Sequence, residues 1–239
     1  MKVALMITCL SDIFRPEVGL ATGRLLRRLG VSVEFPGAQT CCGQPFFNSG
    51  YPRHAQDLAR HTIEVFRQAP VDAVVIPSGS CAAMVKVEYP ELFHDDTVWH
   101  ERAIALAGRT HELTDFLVNV LGREDVGASF RGKVTYHYAC HLRALGLRDE
   151  AVRLIRAIDG AEYVPLDGIE DCCGFGGSFA VRFPEISGAI VTDKAQAIIR
   201  TGADVVVATD SGCLMNIAGR LHRIGASIRT MHLVELLSP

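Results

Sequence analysis

Short apolar runs alternate with amphipathic stretches along the whole chain. Lys2 to Thr8 (KVALMIT), Val31 to Phe35 (VSVEF) and Val71 to Ile76 (VDAVVI) are apolar, rich in β-branched residues and too short for helices. They predict strands near 2–8, 31–35 and 71–77. Between them apolar residues recur at helical spacing, which predicts helices near 16–29, 53–68, 81–89 and 111–121. The same rhythm returns after residue 132. There, strands are expected near 133–139, 161–166, 203–209 and 227–231, and helices near 147–158, 184–201 and 213–223. Strands alternating with helices imply βαβ units and mostly parallel sheets.

The two series read as copies. Lys2 to Thr8 matches Lys133 to Ala139 (KVTYHYA), and each run ends at a cysteine. Val31 to Phe35 matches Ala161 to Pro165, and Val71 to Ile76 matches Ala203 to Ala208. Arg109-Thr110-His111 resembles Arg229-Thr230-Met231-His232, which makes a shared structural role for His111 and His232 a better reading than catalysis. The Gly-rich, charged stretch Gly122 to Gly132 reads as a linker. The expected fold is therefore α/β, with two similar Rossmann-like βαβ domains, residues 1–122 and 132–239, related by a pseudo-twofold axis.

Composition narrows the class. The 239 residues are 49% hydrophobic and 21% charged, a globular balance. The net charge of −3 comes from 24 basic and 27 acidic residues, with no basic domain or tail to suggest nucleic-acid binding. The apolar run Val3–Leu10 is too short to span a bilayer and lacks the flanks of a secretory signal. A cytoplasmic protein is expected, and in that reducing compartment eight cysteines point to metal or redox chemistry rather than disulfides.

Those cysteines carry the strongest signal. Each half holds a single Cys, an adjacent pair and another single: Cys9, Cys41, Cys42, Cys81, then Cys140, Cys172, Cys173, Cys213. An offset of 131 relates the first three of each set, and 132 the last. Cys9 and Cys140 end their first strands, the pairs follow the second strands, and Cys81 and Cys213 follow the third, where helices begin. In an open α/β sheet these points converge at the carboxyl edge, where ligands bind. Helix N-termini at Cys81 and Cys213 would favour thiolate. Gly43, Gly174, Gly176 and Gly177 let the backbone aim N–H groups at one anionic object. Two iron–sulfur clusters, one for each quartet, are the expected cofactors.

The residues resemble a known family. Cys41-Cys42-Gly43-Gln44-Pro45 and Asp171-Cys172-Cys173-Gly174-Phe175-Gly176-Gly177, with single cysteines some thirty before and forty after, resemble the CCG cysteine-rich domain. Asn48-Ser49-Gly50-Tyr51, Ser78-Gly79-Ser80-Cys81, Glu185-Ile186-Ser187-Gly188 and Leu214-Met215-Asn216-Ile217 extend the likeness over essentially the whole chain. Tandem copies occur in one component of heterodisulfide reductase and in the iron–sulfur component of glycolate oxidase, and the pattern is most similar to the lactate-utilisation protein A family. The resemblance implies an electron-transfer role in oxidising L-lactate to pyruvate, beside a second iron–sulfur protein and a third subunit. The fullest CCG pattern has five cysteines; here Ser78 and Asp210 occupy the fifth positions. Four thiolates suffice for a [4Fe–4S] cubane, and one oxygen ligand from Ser78 or Asp210 is the alternative to an all-thiolate set.

Rival readings stay open at this level. Structural zinc suits Cys-x₂₋₄-Cys knuckles better than adjacent cysteines, yet fits a chain that has lost its clusters in air, as does an empty site. Gly174 to Phe179 (GFGGSF) misses the dinucleotide fingerprint because Phe179 takes the last Gly position. His137 and His141 flank Cys140 and read as satisfied strand-end or surface residues; Asp171 reads as a solvated turn. Phe46, Phe47, Phe175 and Phe179 either shield a cluster or pack in the core. A heterodisulfide-reductase-like thiol/disulfide oxidoreductase, a glycolate oxidase iron–sulfur subunit and a zinc-stabilised scaffold are the competing functions.

Overall fold

The computed structural model describes residues 1–238. Strands β1 (Lys2–Leu5), β2 (Ser32–Glu34), β3 (Ala73–Ile76) and β4 (Thr110–Glu112) form one sheet in the order β2-β1-β3-β4. Strands β5 (Ser129–Tyr136), β6 (Asp159–Tyr163), β7 (Val205–Ala208) and β8 (Arg229–His232) repeat it as β6-β5-β7-β8. Every pairing is parallel. The expected α/β fold of two similar Rossmann-like units is therefore what the chain adopts.

Parallel strands buried on both faces read as continuous apolar runs, and β3 and β7 are buried at every position. The crossovers are amphipathic helices. Pro16–Arg28 turns Val18, Ala21, Leu25 and Leu26 inward, with Pro at its first turn, where the missing N–H costs nothing. Pro52–Arg67 and Pro184–Arg200 open the same way and occupy matching places after the cysteine pairs. In each sheet the chain runs from the central strand to one neighbour and then crosses to the other side. That reversal opens a crevice at the strands' carboxyl ends, between the exits of β1 and β3 and again between β5 and β7.

Besides short helices the pattern did not predict, among them Cys9–Phe14, Gln44–Asn48, Phe179–Arg182 and Leu233–Leu237, the structure departs from the expectation in three larger ways. Thr97–Gly108 is a helix, capped by Asp96, whose carboxylate accepts from the Trp99 amide at 3.2 Å. Residues 110–112 are the edge strand β4, and the following helix, Leu113–Asp115, continues as a π-helical turn over Phe116–Val120. β5 begins at Ser129, inside the stretch read as linker, and carries a register shift between Ser129 and Gly132.

The two sheets share packing. One buried cluster joins Val3, Val18 and Leu25 to Val134, Tyr136 and Leu233. A second, around Met6, Ile63, Phe66 and Tyr89, is built from the first half. Among the described residues no helix is long and apolar enough to cross a membrane.

Candidate metal centre

All eight cysteines line one cavity of about 450 Å³ at the seam between the halves. They come from six chain segments. Cys9 opens the helix Cys9–Phe14 just past β1, and Cys140 opens a 3₁₀ turn past β5. Cys81 and Cys213 sit in the first turn of Gly79–Ala83 and Ser211–Arg223, past β3 and β7. The pairs lie on the loops that leave β2 and β6. The convergence at the carboxyl edges is thus present in both halves, and the two edges face each other.

In the first half the sulfurs of Cys9 and Cys41 are 3.5 Å apart, and those of Cys42 and Cys81 are 3.3 Å apart. In the second, Cys173 and Cys213 approach to 2.9 Å, while Cys140 faces the Nδ1 atom of His141 at 3.6 Å. Cys42, Cys81, Cys173 and Cys213 are buried, Cys9 and Cys41 are half-buried, and Cys140 and Cys172 are exposed. Each quartet has a buried inner pair and a more accessible outer pair.

Mutual contact and burial set the proton affinities. Cys41 accepts from the thiols of Cys42 and Cys9 and is held far below the usual thiol range. Its neighbours Cys9 and Cys42 are pushed up, first by that contact; for Cys42 the bond to Cys81 comes next, and burial acts on both. Cys172 and Cys173 are both raised. Cys213 is raised as well: the bond from Cys173 lowers it, but burial and the neighbouring Asp210, Cys140 and Cys172 outweigh that bond. The thiolate preference expected at Cys213 is therefore not what this arrangement gives, and loading a metal must release protons.

Backbone geometry fits an anionic, sulfur-rich guest. The amides of Gly43 and Gly174 point at the sulfurs of Cys41 and Cys172, at 3.5 and 3.2 Å. Both glycines have positive φ, +88° and +76°. A Cβ on Gly174 would lie 2.7 Å from the Ser187 carbonyl oxygen. Gly174→Ala is expected to cost about 1–2 kcal/mol from the left-handed backbone alone, and more from that contact. Gly188→Ala, inside the helix Pro184–Arg200 with nothing within 4 Å, is the control and is expected to stabilise by about 0.5–1 kcal/mol. Chemical denaturation of the two variants checks this.

Ser78 and Asp210 line the same cavity and are bonded to each other. Ser78 caps its helix by accepting from the Cys81 amide, and its hydroxyl donates to Asp210 Oδ2 at 3.4 Å. Asp210 accepts the Ser80 amide at 2.9 Å across the seam and the Gly212 amide of its own helix at 3.3 Å. Equivalent positions touching each other are what a twofold axis through this point produces. Ser11 with Ser211, Ser49 with Ser178 and Gln44 with His141 add further bonds across the seam.

Several residues acquire roles the sequence did not disclose. Tyr89 donates to the Cys42 carbonyl at 2.8 Å, and Asn216 donates to that of Cys173 at 2.8 Å. Two unlike residues thus pin the inner cysteines. Lys194 is buried and donates to the carbonyl of Gly168 under the second pair. Its signal was a lysine inside the apolar stripe of Pro184–Arg200. Of the four phenylalanines, Phe175 lines the cavity, and its ring is the nearest neighbour of a Cβ built on Gly212. Phe46 packs on His54, and Phe179 on Phe183. Asp171 is exposed at its turn. His111 pairs with Asp115 at 2.7 Å, whereas His232 caps the last helix, so the equivalent of His232 is Glu112, the cap in the first half.

Paired sheets with mirrored thiol quartets define a tandem cysteine-rich domain protein, and residues 3–86 and 134–218 each match the family model of the cysteine-rich domain CCG. The chain is 51% identical to a protein of Geobacillus kaustophilus over 100% of its length and 99% of that protein. It is 48% identical to one of Bacillus subtilis over the same shares. Both relatives bear the name Lactate utilization protein A. The chain belongs to the Lactate utilization protein A family. Among solved structures, a hypothetical protein from Helicobacter pylori superposes with a TM-score of 0.71 at 8% identity, covering 99% of this chain and 48% of that one, a likeness of fold alone.

Proposed function

We propose that this chain is the electron-transfer protein of an L-lactate oxidation system and holds two iron–sulfur clusters, one [4Fe–4S] centre on each cysteine quartet. The observation that carries the reading is the arrival of eight thiols from six segments at one cavity. The name borne by the relatives supports lactate as the substrate of the system. Bound clusters would supply one-electron exchange. The chain's own part is to hold them: eight thiolates as ligands, the Gly43 and Gly174 amides bonded to sulfur, and an apolar lining that limits water. Oxidation of the hydroxy acid itself falls to its partners, a second iron–sulfur protein and a third subunit, in the cytoplasm.

The chain prepared without oxygen is expected to carry about eight irons, about four per centre, and to be reduced reversibly. Trace iron, or zinc in its place, would overturn the reading in favour of a scaffold. Deleting the gene is expected to stop growth on L-lactate and spare growth on other carbon sources. The exposure of Cys140 and Cys172 at the cavity favours one second reading, a thiol/disulfide oxidoreductase. Turnover of a disulfide by the isolated, iron-loaded chain would select it.

A further inference from the structure

The two halves share a topology, but their centres are not alike. His137 follows β5 directly, three residues before Cys140, and is 1% exposed. Both of its ring nitrogens are buried without a hydrogen-bond partner. A buried imidazole with neither nitrogen satisfied is costly, so such a group calls for an explanation. Its surroundings give one: a ring nitrogen and the sulfurs of Cys173 and Cys213 all lie within 4.8 Å of one another. Those two thiols are the buried inner pair of the second quartet. The matching position in the first half is Met6, buried and unable to offer nitrogen.

We propose that His137 supplies a nitrogen ligand to the metal centre of the second half in place of the outer thiol Cys140, so that, departing at that one position from the all-thiolate set, this centre has three thiols and one imidazole where the first has four thiols. The inference rests on the iron–sulfur reading above. Imidazole is an ordinary ligand for iron, and a neutral histidine in place of a thiolate reduces the negative charge around a cluster. Cys140, the outer thiol of this quartet, faces His141 rather than another cysteine, whereas its counterpart Cys9 contacts Cys41. The inner position near the second pair is thus held by His137, from the same strand exit. Lys194 reinforces the difference. It is a buried cation beneath the second pair, and the residue at the same distance from the proline opening the first-half helix is Thr62. Asp210, where the first half has Ser78, offsets one of these charges; with imidazole for thiolate and Lys194 together, the second centre is the less negative one and the one more readily reduced.

The test uses the full chain labelled with ¹⁵N only in histidine, loaded with iron and sulfide without oxygen and reduced by one electron. Pulsed electron paramagnetic resonance then reads nitrogen hyperfine coupling at the iron. A coupling of the size given by directly bound imidazole is expected, changed by the isotope swap. Labelling histidine alone excludes the glycine amides. His141→Gln is expected to keep the coupling, and His137→Met, which installs the residue the first half carries at this position, to lose it. Iron present in both halves with no histidine coupling, or only the weak coupling of an N–H···S hydrogen bond, overturns the proposal and leaves the iron–sulfur reading intact. A chain that takes up no iron overturns both. The wild-type comparison needs no variant, so a misfolded His137→Met chain does not block the result.

Discussion

Replacing Cys42 by serine is expected to remove about half of the iron from the anaerobically prepared chain, from roughly eight to roughly four atoms. Cys42 is 2% exposed and its sulfur lies 3.3 Å from that of Cys81. Its carbonyl is fixed by Tyr89, so the backbone is held whatever the side chain. Serine fills nearly the same volume but presents a hydroxyl, a far weaker ligand for iron than thiolate. The fold should survive while the first centre is lost. Cys173→Ser is expected to do the same to the second centre, and the double variant to hold almost none. Iron and sulfide assays on the three variants, with their visible spectra, check this. Unchanged iron in Cys42→Ser would remove that residue from the ligand set.

The second large effect is in stability against pH, and it comes from Glu112. This residue closes β4 and is 1% exposed. One carboxylate oxygen accepts from the Thr114 amide and hydroxyl and from the Asp115 amide; the other, Oε1, is buried without a partner. Burial pushes its proton affinity from 4.5 to about 7, against the lowering effect of the Thr114 bonds. The folded chain thus holds a proton that the unfolded chain gives up above pH 4.5. Its contribution is complete below pH 4.5 and is lost as pH rises through about 7, on the order of 3 kcal/mol in all.

His232, the cap in the other half, acts with the opposite slope. Burial lowers it to about 4, so the unfolded chain gains the proton first and stability is lost as pH falls from 6.5 towards 4. The clean measurement is therefore a difference. Glu112→Gln, which keeps an oxygen for the Thr114 amide, should match the wild type near pH 4.5 and exceed it by roughly 3 kcal/mol at pH 8. Urea unfolding of both proteins across that range checks it. A constant difference would mean that the carboxyl titrates normally.

The fold was legible where periodicity was strong. Val71 to Ile76 and Ala203 to Ala208 contain β3 and β7, because a strand buried on both faces is a continuous apolar run. The helix Thr97–Gly108 was not read, because its apolar residues form only a weak stripe and three of them, Val98, Ile104 and Ala105, face solvent. β4 is three residues long, below the length at which alternation can be recognised. The cysteine convergence followed from spacing and sheet topology together. That the two quartets open into one cavity did not, since it depends on how the sheets dock. His137 was visible beside Cys140, yet its burial and its unmet nitrogens belong to tertiary structure, and a strand-end histidine looks the same in sequence either way.

The unequal exposure of the outer cysteines gives the cavity a front and a back. Cys140 and Cys172 stand in solvent, while their counterparts Cys9 and Cys41 are half covered. A chelator, a metal donor or a molecule of oxygen arriving from bulk water encounters the second quartet before the first. Metal loading and loss are therefore expected to begin at Cys140 and Cys172 and to reach Cys42 and Cys81 last.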